Sequence, residues 1–140
     1  FYDLKLMSKL AARIGNTYDS RVYGQLAEEV RKSFNQRWYR PAEKSYASGS
    51  QTALAMAICF DIVESENRSA VLAKLVEEVN RRGNRLTTGD IGNRYLFQAL
   101  ASNGLNELMY TLHHHEEAPG YGFNNTVQVI EMARRALCED

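Results

Sequence analysis

The sequence predicts an all-α chain built from antiparallel helical hairpins. Three observations carry that prediction. Apolar residues recur at three- and four-residue spacing through most of the 140 residues, the period of helices with a buried face. The two prolines, Pro41 and Pro119, both fall in polar stretches between these patterns, where they interrupt no helix. Short turns such as Gly15-Asn16 and Asn103-Gly104 separate several of the patterns, and short turns join antiparallel neighbours.

The first helix is expected over Phe1 to Ile14, with Leu4, Met7, Leu10, Ala11 and Ile14 on one face. Gly15-Asn16 ends it as a C-terminal cap. Asp19 or Ser20 starts a second helix carrying Val22, Leu26, Val30 and Phe34 and ending near Trp38. Tyr39 to Ser50 reads as a loop. The third helix, Gln51 to about Ile62, is apolar nearly all round, which places it deep in the core. Ser65 is expected to cap a fourth helix with Val71, Leu72, Leu75, Val76 and Val79, ending at Arg82-Gly83. Asp90 can cap a fifth helix from Ile91 to about Ser102. A sixth runs from Leu105 to about His114. Glu116 to Asn125 is a second long polar loop, and a seventh helix is expected over Val127 to Leu137. No close internal repeat is visible.

Size and composition narrow the function. A chain of 140 residues is one domain, 1–140, large enough for a hydrophobic core. The formal net charge is zero, so no basic excess points to nucleic acid or an anionic membrane as a partner. No apolar run is long enough to cross a bilayer. Phe1 opens directly into a helical pattern rather than a leader pattern, which says little about compartment. Cys59 and Cys138 do not make a disulfide framework. Cys59 lies in an apolar run and reads as a small core residue.

Chemistry is expected in two polar, glycine-bearing loops joined by a helical hairpin, since rigid scaffolds usually carry function on such loops. The first is Leu86-Thr87-Thr88-Gly89-Asp90. The second is Glu116-Glu117-Ala118-Pro119-Gly120-Tyr121-Gly122-Phe123. Asp90, Arg94, Glu116, Glu117 and Tyr121 are the candidate ligand-binding residues. Aromatic faces stack on sugar C–H surfaces, and carboxylates and guanidinium groups bind hydroxyls in directed pairs. Each has a structural alternative. Asp90 is also a good N-cap, Arg94 can pair with it at i,i+4, and Glu116 and Glu117 can be a solvated helix exit. Tyr121 stands between two glycines, which suits a binding loop, although packing is the competing role. Trp38 with Tyr39, Tyr46 and Tyr23 is more simply partial core than a groove. His113-His114-His115 is not expected to hold a metal, because successive helical residues point about 100° apart.

The stretch Leu86 to Phe123 resembles the C-terminal part of the helical catalytic domain of bacterial α-L-rhamnosidases, glycoside hydrolase family 78. The likeness rests on Thr87-Thr88-Gly89-Asp90 with Gly92, Tyr95 and Leu96, and on Pro119-Gly120-Tyr121-Gly122-Phe123. It is clear at Gln51-Thr52-Ala53-Leu54-Ala55 and diffuse back to Ala12. The resemblance implies an (α/α)6 toroid of which this chain is about half, with apolar surface left exposed where the ring is open and self-association through those faces. It implies an inverting hydrolysis of terminal α-L-rhamnosides without a cofactor. An acid protonates the departing oxygen and a second carboxylate, about 6.5–9.5 Å away, activates water. The family's acid belongs to a D-R-x-E-type segment that this chain lacks. Its base belongs to a G-A-T-T-x-x-E segment, and residues 124–140 depart from that pattern, with Glu131 too close to Phe123 to be that base. The expectation is therefore a fragment with no catalytic residue of its own, contributing part of a pocket for a rhamnose-containing glycan. A stand-alone, catalytically dead module that binds carbohydrate or a protein is the alternative, and the parent would be periplasmic or extracellular if secreted.

Overall fold

The computed structural model describes residues 1–115 and Ile130. The expected seventh helix and the second polar loop, with Glu116, Glu117 and Tyr121, lie outside the described residues. Six α-helices follow in chain order: α1 (Tyr2–Arg13), α2 (Thr17–Trp38), α3 (Gln51–Cys59), α4 (Arg68–Arg81), α5 (Gly89–Ser102) and α6 (Asn106–His113). They form three consecutive hairpins. Two short strands, β1 (Tyr39–Arg40) and β2 (Ser45–Tyr46), pair antiparallel between α2 and α3, with Tyr39 opposite Tyr46 and Arg40 opposite Ser45.

Local chemistry sets the helix ends. After α1 the chain turns through Gly15 at φ +79°, and the Asn16 amide donates to the Ala11 carbonyl at 2.9 Å. This is a helix C-terminal motif that needs a left-handed residue, and glycine adopts it without penalty. Asn16 then opens the next helix. Its side-chain oxygen accepts from the Asp19 amide at 3.1 Å, so α2 starts at Thr17, earlier than the Asp19 or Ser20 predicted. Ser50 caps α3 in the same way, accepting from the Ala53 amide at 3.3 Å.

The third helix is shorter than expected. It stops at Cys59 because Asp61 takes a left-handed conformation, φ 59°, and the Ile62 amide returns to the Ala57 carbonyl at 3.1 Å. No glycine marks this end. Asp61 is held from outside, by Lys5 at 2.9 Å and Arg68 at 3.4 Å. Ser65 opens a short 3-10 turn, Ser65–Asn67, rather than capping α4. The loop after α2 is tied down by the strand pair, which the sequence reading did not foresee.

The core lies around α3, which packs against α4 on one side and α5 on the other. Leu54, Ile58, Val71, Leu75, Val79, Leu96, Leu100 and Leu112 are fully buried there. Tyr46 is buried with them. Its ring meets Phe34 and Tyr39 at centroid distances of 6.1 and 5.1 Å, and its hydroxyl donates to Asn35 Oδ1. Asn35 Nδ2 in turn donates to the Ile62 carbonyl at 2.9 Å. A polar link thus joins the first hairpin to the end of α3. The remaining joints on that side are Lys5 with Asp61 and the ring of Tyr2 against Phe60 at 5.5 Å.

Candidate functional site

The candidate site is built where α3 begins and α5 begins. Gln51 is the first residue of α3 and is fully buried. Its Nε2 donates to the Arg85 carbonyl at 2.9 Å, and its Oε1 accepts from the Thr87 amide at 3.0 Å. One side chain therefore satisfies backbone groups on two residues of the 85–88 loop. Thr52 adds a third link, its hydroxyl donating to the Thr88 carbonyl at 3.1 Å. Leu86 is buried between these polar ties and anchors the loop in the core. A buried amide whose nitrogen and oxygen are both hydrogen-bonded fixes its surroundings, because the amide itself has no solvent to fall back on.

Gly92 completes the clamp. A Cβ at this position would stand 2.8 Å from Thr88 Cβ and closer still to Thr52 Oγ1. The absent side chain lets α5 lie directly on the first turn of α3. Gln51, Thr52 and Gly92 thus form one joint, although the sequence reading treated the Gln51–Ala55 and Leu86–Leu96 motifs as separate. A glutamine and a threonine opening an otherwise apolar helix were the signal that something polar had to be met there.

Asp90 does not cap α5. The helix begins at Gly89, whose φ is +62°, with Thr88 in the cap position, and Asp90 stands in the first turn. A carboxylate there is favoured by the helix dipole. Asp90 and Arg94 are both exposed and one helical turn apart, so they share a face of α5. They do not form an ion pair with each other among the described residues. Arg94 borders a small cavity of about 120 Å³ with Tyr2, Cys59, Phe60, Tyr95 and Gln98. Cys59 is half-buried there, its Sγ 3.2 Å from the Tyr95 carbonyl. Burial pushes its thiol pKa up, against the smaller pull of Arg68, which keeps it a thiol at neutral pH.

The histidines at the end of α6 point to aromatic partners. The His113 ring lies 6.1 Å from Phe97, and His114 stacks on Tyr110 at 3.9 Å. No group of three His, Cys, Asp or Glu side chains among the described residues is placed to hold a metal ion. Tyr46 is core, while Trp38 is exposed beneath the Arg37 guanidinium at 5.4 Å.

The family model for the bacterial alpha-L-rhamnosidase six-hairpin glycosidase domain matches residues 1–127. The chain belongs to this family. The match begins earlier than the Ala12 at which the motif likeness became visible. An alpha-L-rhamnosidase of Formosa agariphila is 27% identical over 123 residues, 88% of this chain and 13% of the relative. The alpha-L-rhamnosidase structure from Dictyoglumus thermophilum superposes with a TM-score of 0.81 at 31% identity, over 88% of this chain and 14% of that one. The alpha-L-rhamnosidase of Streptomyces avermitilis, solved in complex with L-rhamnose, shares the fold with a TM-score of 0.82 at 22% identity, over 89% of this chain and 12% of that one. The rhamnosidase six-hairpin domain explains the hairpin order, and the three described hairpins are about half of its ring. The chain spans about one-eighth of the length of the curated relatives it matches.

Proposed function

We propose that this rhamnosidase-derived module forms one wall of the sugar pocket of an inverting α-L-rhamnosidase and has no hydrolytic activity by itself. The observation that carries this reading is the clamp of Gln51, Thr52 and Gly92. It holds a polar loop rigidly while leaving Asp90 and Arg94 exposed on one helix face. A carboxylate and a guanidinium one turn apart, not neutralised by each other, suit the recognition of vicinal sugar hydroxyls by directed hydrogen bonds. Glu116, Glu117 and Tyr121 belong to the same proposed rim. Inactivity follows from the missing D-R-x-E-type acid segment and from the departure of residues 124–140 from the base-bearing segment.

Two measurements on the 140-residue chain test this. An aryl α-L-rhamnoside should not be turned over, and turnover abolished by Glu131→Gln would overturn the inactivity. In an NMR titration, L-rhamnose should shift amides of residues 86–94. Asp90→Asn, Arg94→Ala and Tyr121→Ala should each weaken that response without changing the helical circular dichroism. Shifts confined to other helices would remove the rim assignment. A second reading, a stand-alone binding module without catalysis, is favoured by one observation: the family match stops at residue 127, so the last segment follows a different pattern. The intact mass of the natural gene product separates the two. A product several times 15.9 kDa supports the pocket-wall reading, and a product near 15.9 kDa supports the stand-alone one.

A further inference from the structure

The turn that joins α5 to α6 holds a reactive pair. Asn103-Gly104 is the one asparagine-glycine pair in the 140 residues. In such a pair the backbone nitrogen of the glycine can attack the asparagine side-chain carbonyl carbon, because glycine has no side chain to hinder the approach. The new bond from that nitrogen to Cγ closes a five-membered imide, and the side-chain nitrogen leaves as ammonia with the backbone proton. Water then opens the imide at either carbonyl and leaves aspartate or isoaspartate. Water is the one co-reactant.

The folded turn opposes the first step. Asn103 is the C-terminal cap of α5, with φ −112° and ψ 17°. Its Nδ2 donates to the Ala99 carbonyl at 2.7 Å, which draws the side chain back onto the preceding turn of the helix. The attacking nitrogen is engaged as well. The Gly104 amide donates to the Ala101 carbonyl at 3.1 Å, and the Leu105 amide returns to the Leu100 carbonyl at 2.9 Å. With Gly104 at φ +75°, these bonds make a closed helix C-terminal motif, and Leu105 packs against the core beside it. We infer that Asn103 is a deamidation site that the α5–α6 turn keeps shut, so that the chain converts only when this turn opens and the product does not rebuild it. Turns open locally, with a free energy of their own at or below that of global unfolding. The product sets a carboxylate oxygen, in place of the Nδ2 donor, against the Ala99 carbonyl. It also puts negative charge at a helix C-terminus, where the dipole disfavours it. Isoaspartate adds a methylene to the backbone inside the turn. Conversion is therefore a one-way record of turn opening, and it is independent of the sugar-binding reading.

Timed incubation of the full 140-residue chain at mildly alkaline pH, followed by peptide mass mapping, tests it. In denaturing urea the peptide carrying Asn103 should gain the mass of –OH in place of –NH2, as a pair of aspartyl and isoaspartyl products. In native buffer the same gain should be about tenfold slower or more. Leu105→Ala loosens the core side of the turn and should raise the native rate several-fold while leaving the rate in urea unchanged. Urea below the unfolding transition should raise the native rate of the wild type in the same direction. Asn103→Asp should lower the thermal midpoint with the helical circular dichroism retained. Equal rates in native buffer and denaturing urea would overturn the protection. Conversion at other asparagines with Asn103 intact would overturn the site. A native rate unmoved by both Leu105→Ala and low urea would remove the turn as the gate, and an Asn103→Asp chain as stable as the wild type would overturn the one-way record.

Discussion

The amide of Thr87 donates to the side chain of Gln51 at 3.0 Å, across 36 residues of sequence. The same side chain reaches the Arg85 carbonyl at 2.9 Å. The loop in front of α5 is therefore fixed by the first residue of α3, and the position of Asp90 depends on a residue two hairpin strokes away rather than on its own neighbours.

Replacing Gln51 by leucine keeps the volume and removes both bonds. Each such bond contributes about 0.5–1.5 kcal/mol net, so the expected loss is roughly 1–3 kcal/mol by urea unfolding. The local effect is more diagnostic. Amide exchange at Thr87 should accelerate well beyond the change seen in α4. Unaltered exchange at Thr87 would mean that Leu86 alone anchors the loop.

Gly92→Ala should destabilise the chain despite the better helix propensity of alanine. That propensity is worth about 1 kcal/mol, whereas overpacking costs typically about 1–3 kcal/mol. The new methyl would meet Thr88 Cβ at 2.8 Å and the Thr52 hydroxyl more closely still. Thr52→Ala in the same chain should relieve part of the loss, because it removes one of the two obstacles. Thermal melts of the two single variants and the double variant measure the coupling. Strict additivity would show that the two residues do not compete for the same space.

Alkaline titration should expose Tyr46. Burial pushes its phenol pKa up to about 12 from the ordinary 10. The folded protein thus holds the neutral form more strongly than the unfolded chain does. The associated stability is fully present below pH 10 and is lost as the pH rises from 10 to 12. The loss is on the order of 3 kcal/mol. Urea midpoints measured across that window should fall in the wild type. Tyr46→Phe should lack this step, and at neutral pH it should lose about 1 kcal/mol with the bond to Asn35. An identical alkaline fall in Tyr46→Phe would assign the step to another group.

The helical ladder was legible because its cues are local. Spacing of three and four found all six described helices, and Gly15, Gly83 and Gly104, each at positive φ, closed α1, α4 and α5 where turn chemistry predicted. The errors share a cause. The end of α3 was placed at about Ile62 because Asp61, which tolerates a left-handed turn, marks one far less plainly than glycine does. Lys5 and Arg68, brought there by tertiary contacts, hold its carboxylate. Asp90 looked like a cap because its type and position allowed it, but the loop that Gln51 and Thr52 pin starts the helix two residues earlier, at Gly89.

The sequence by itself determined the all-α hairpin order and the family likeness, since periodicity, caps and motif residues are written along the chain. It also marked Leu86 to Asp90 as a polar loop between two helices. What the tertiary structure alone decided is which distant residues meet. Gln51 was only an opening polar residue until its amide was seen to bond Arg85 and Thr87. Gly92 was only a motif letter until Thr52 and Thr88 were found against its Cα. The apolar stripe of α2 was legible in the spacing of Val22, Leu26, Val30 and Phe34, but only the fold shows Leu26 exposed and Phe34 packed on Tyr46. A sequence records which faces are apolar, but which neighbour covers each face depends on how the hairpins stack in space.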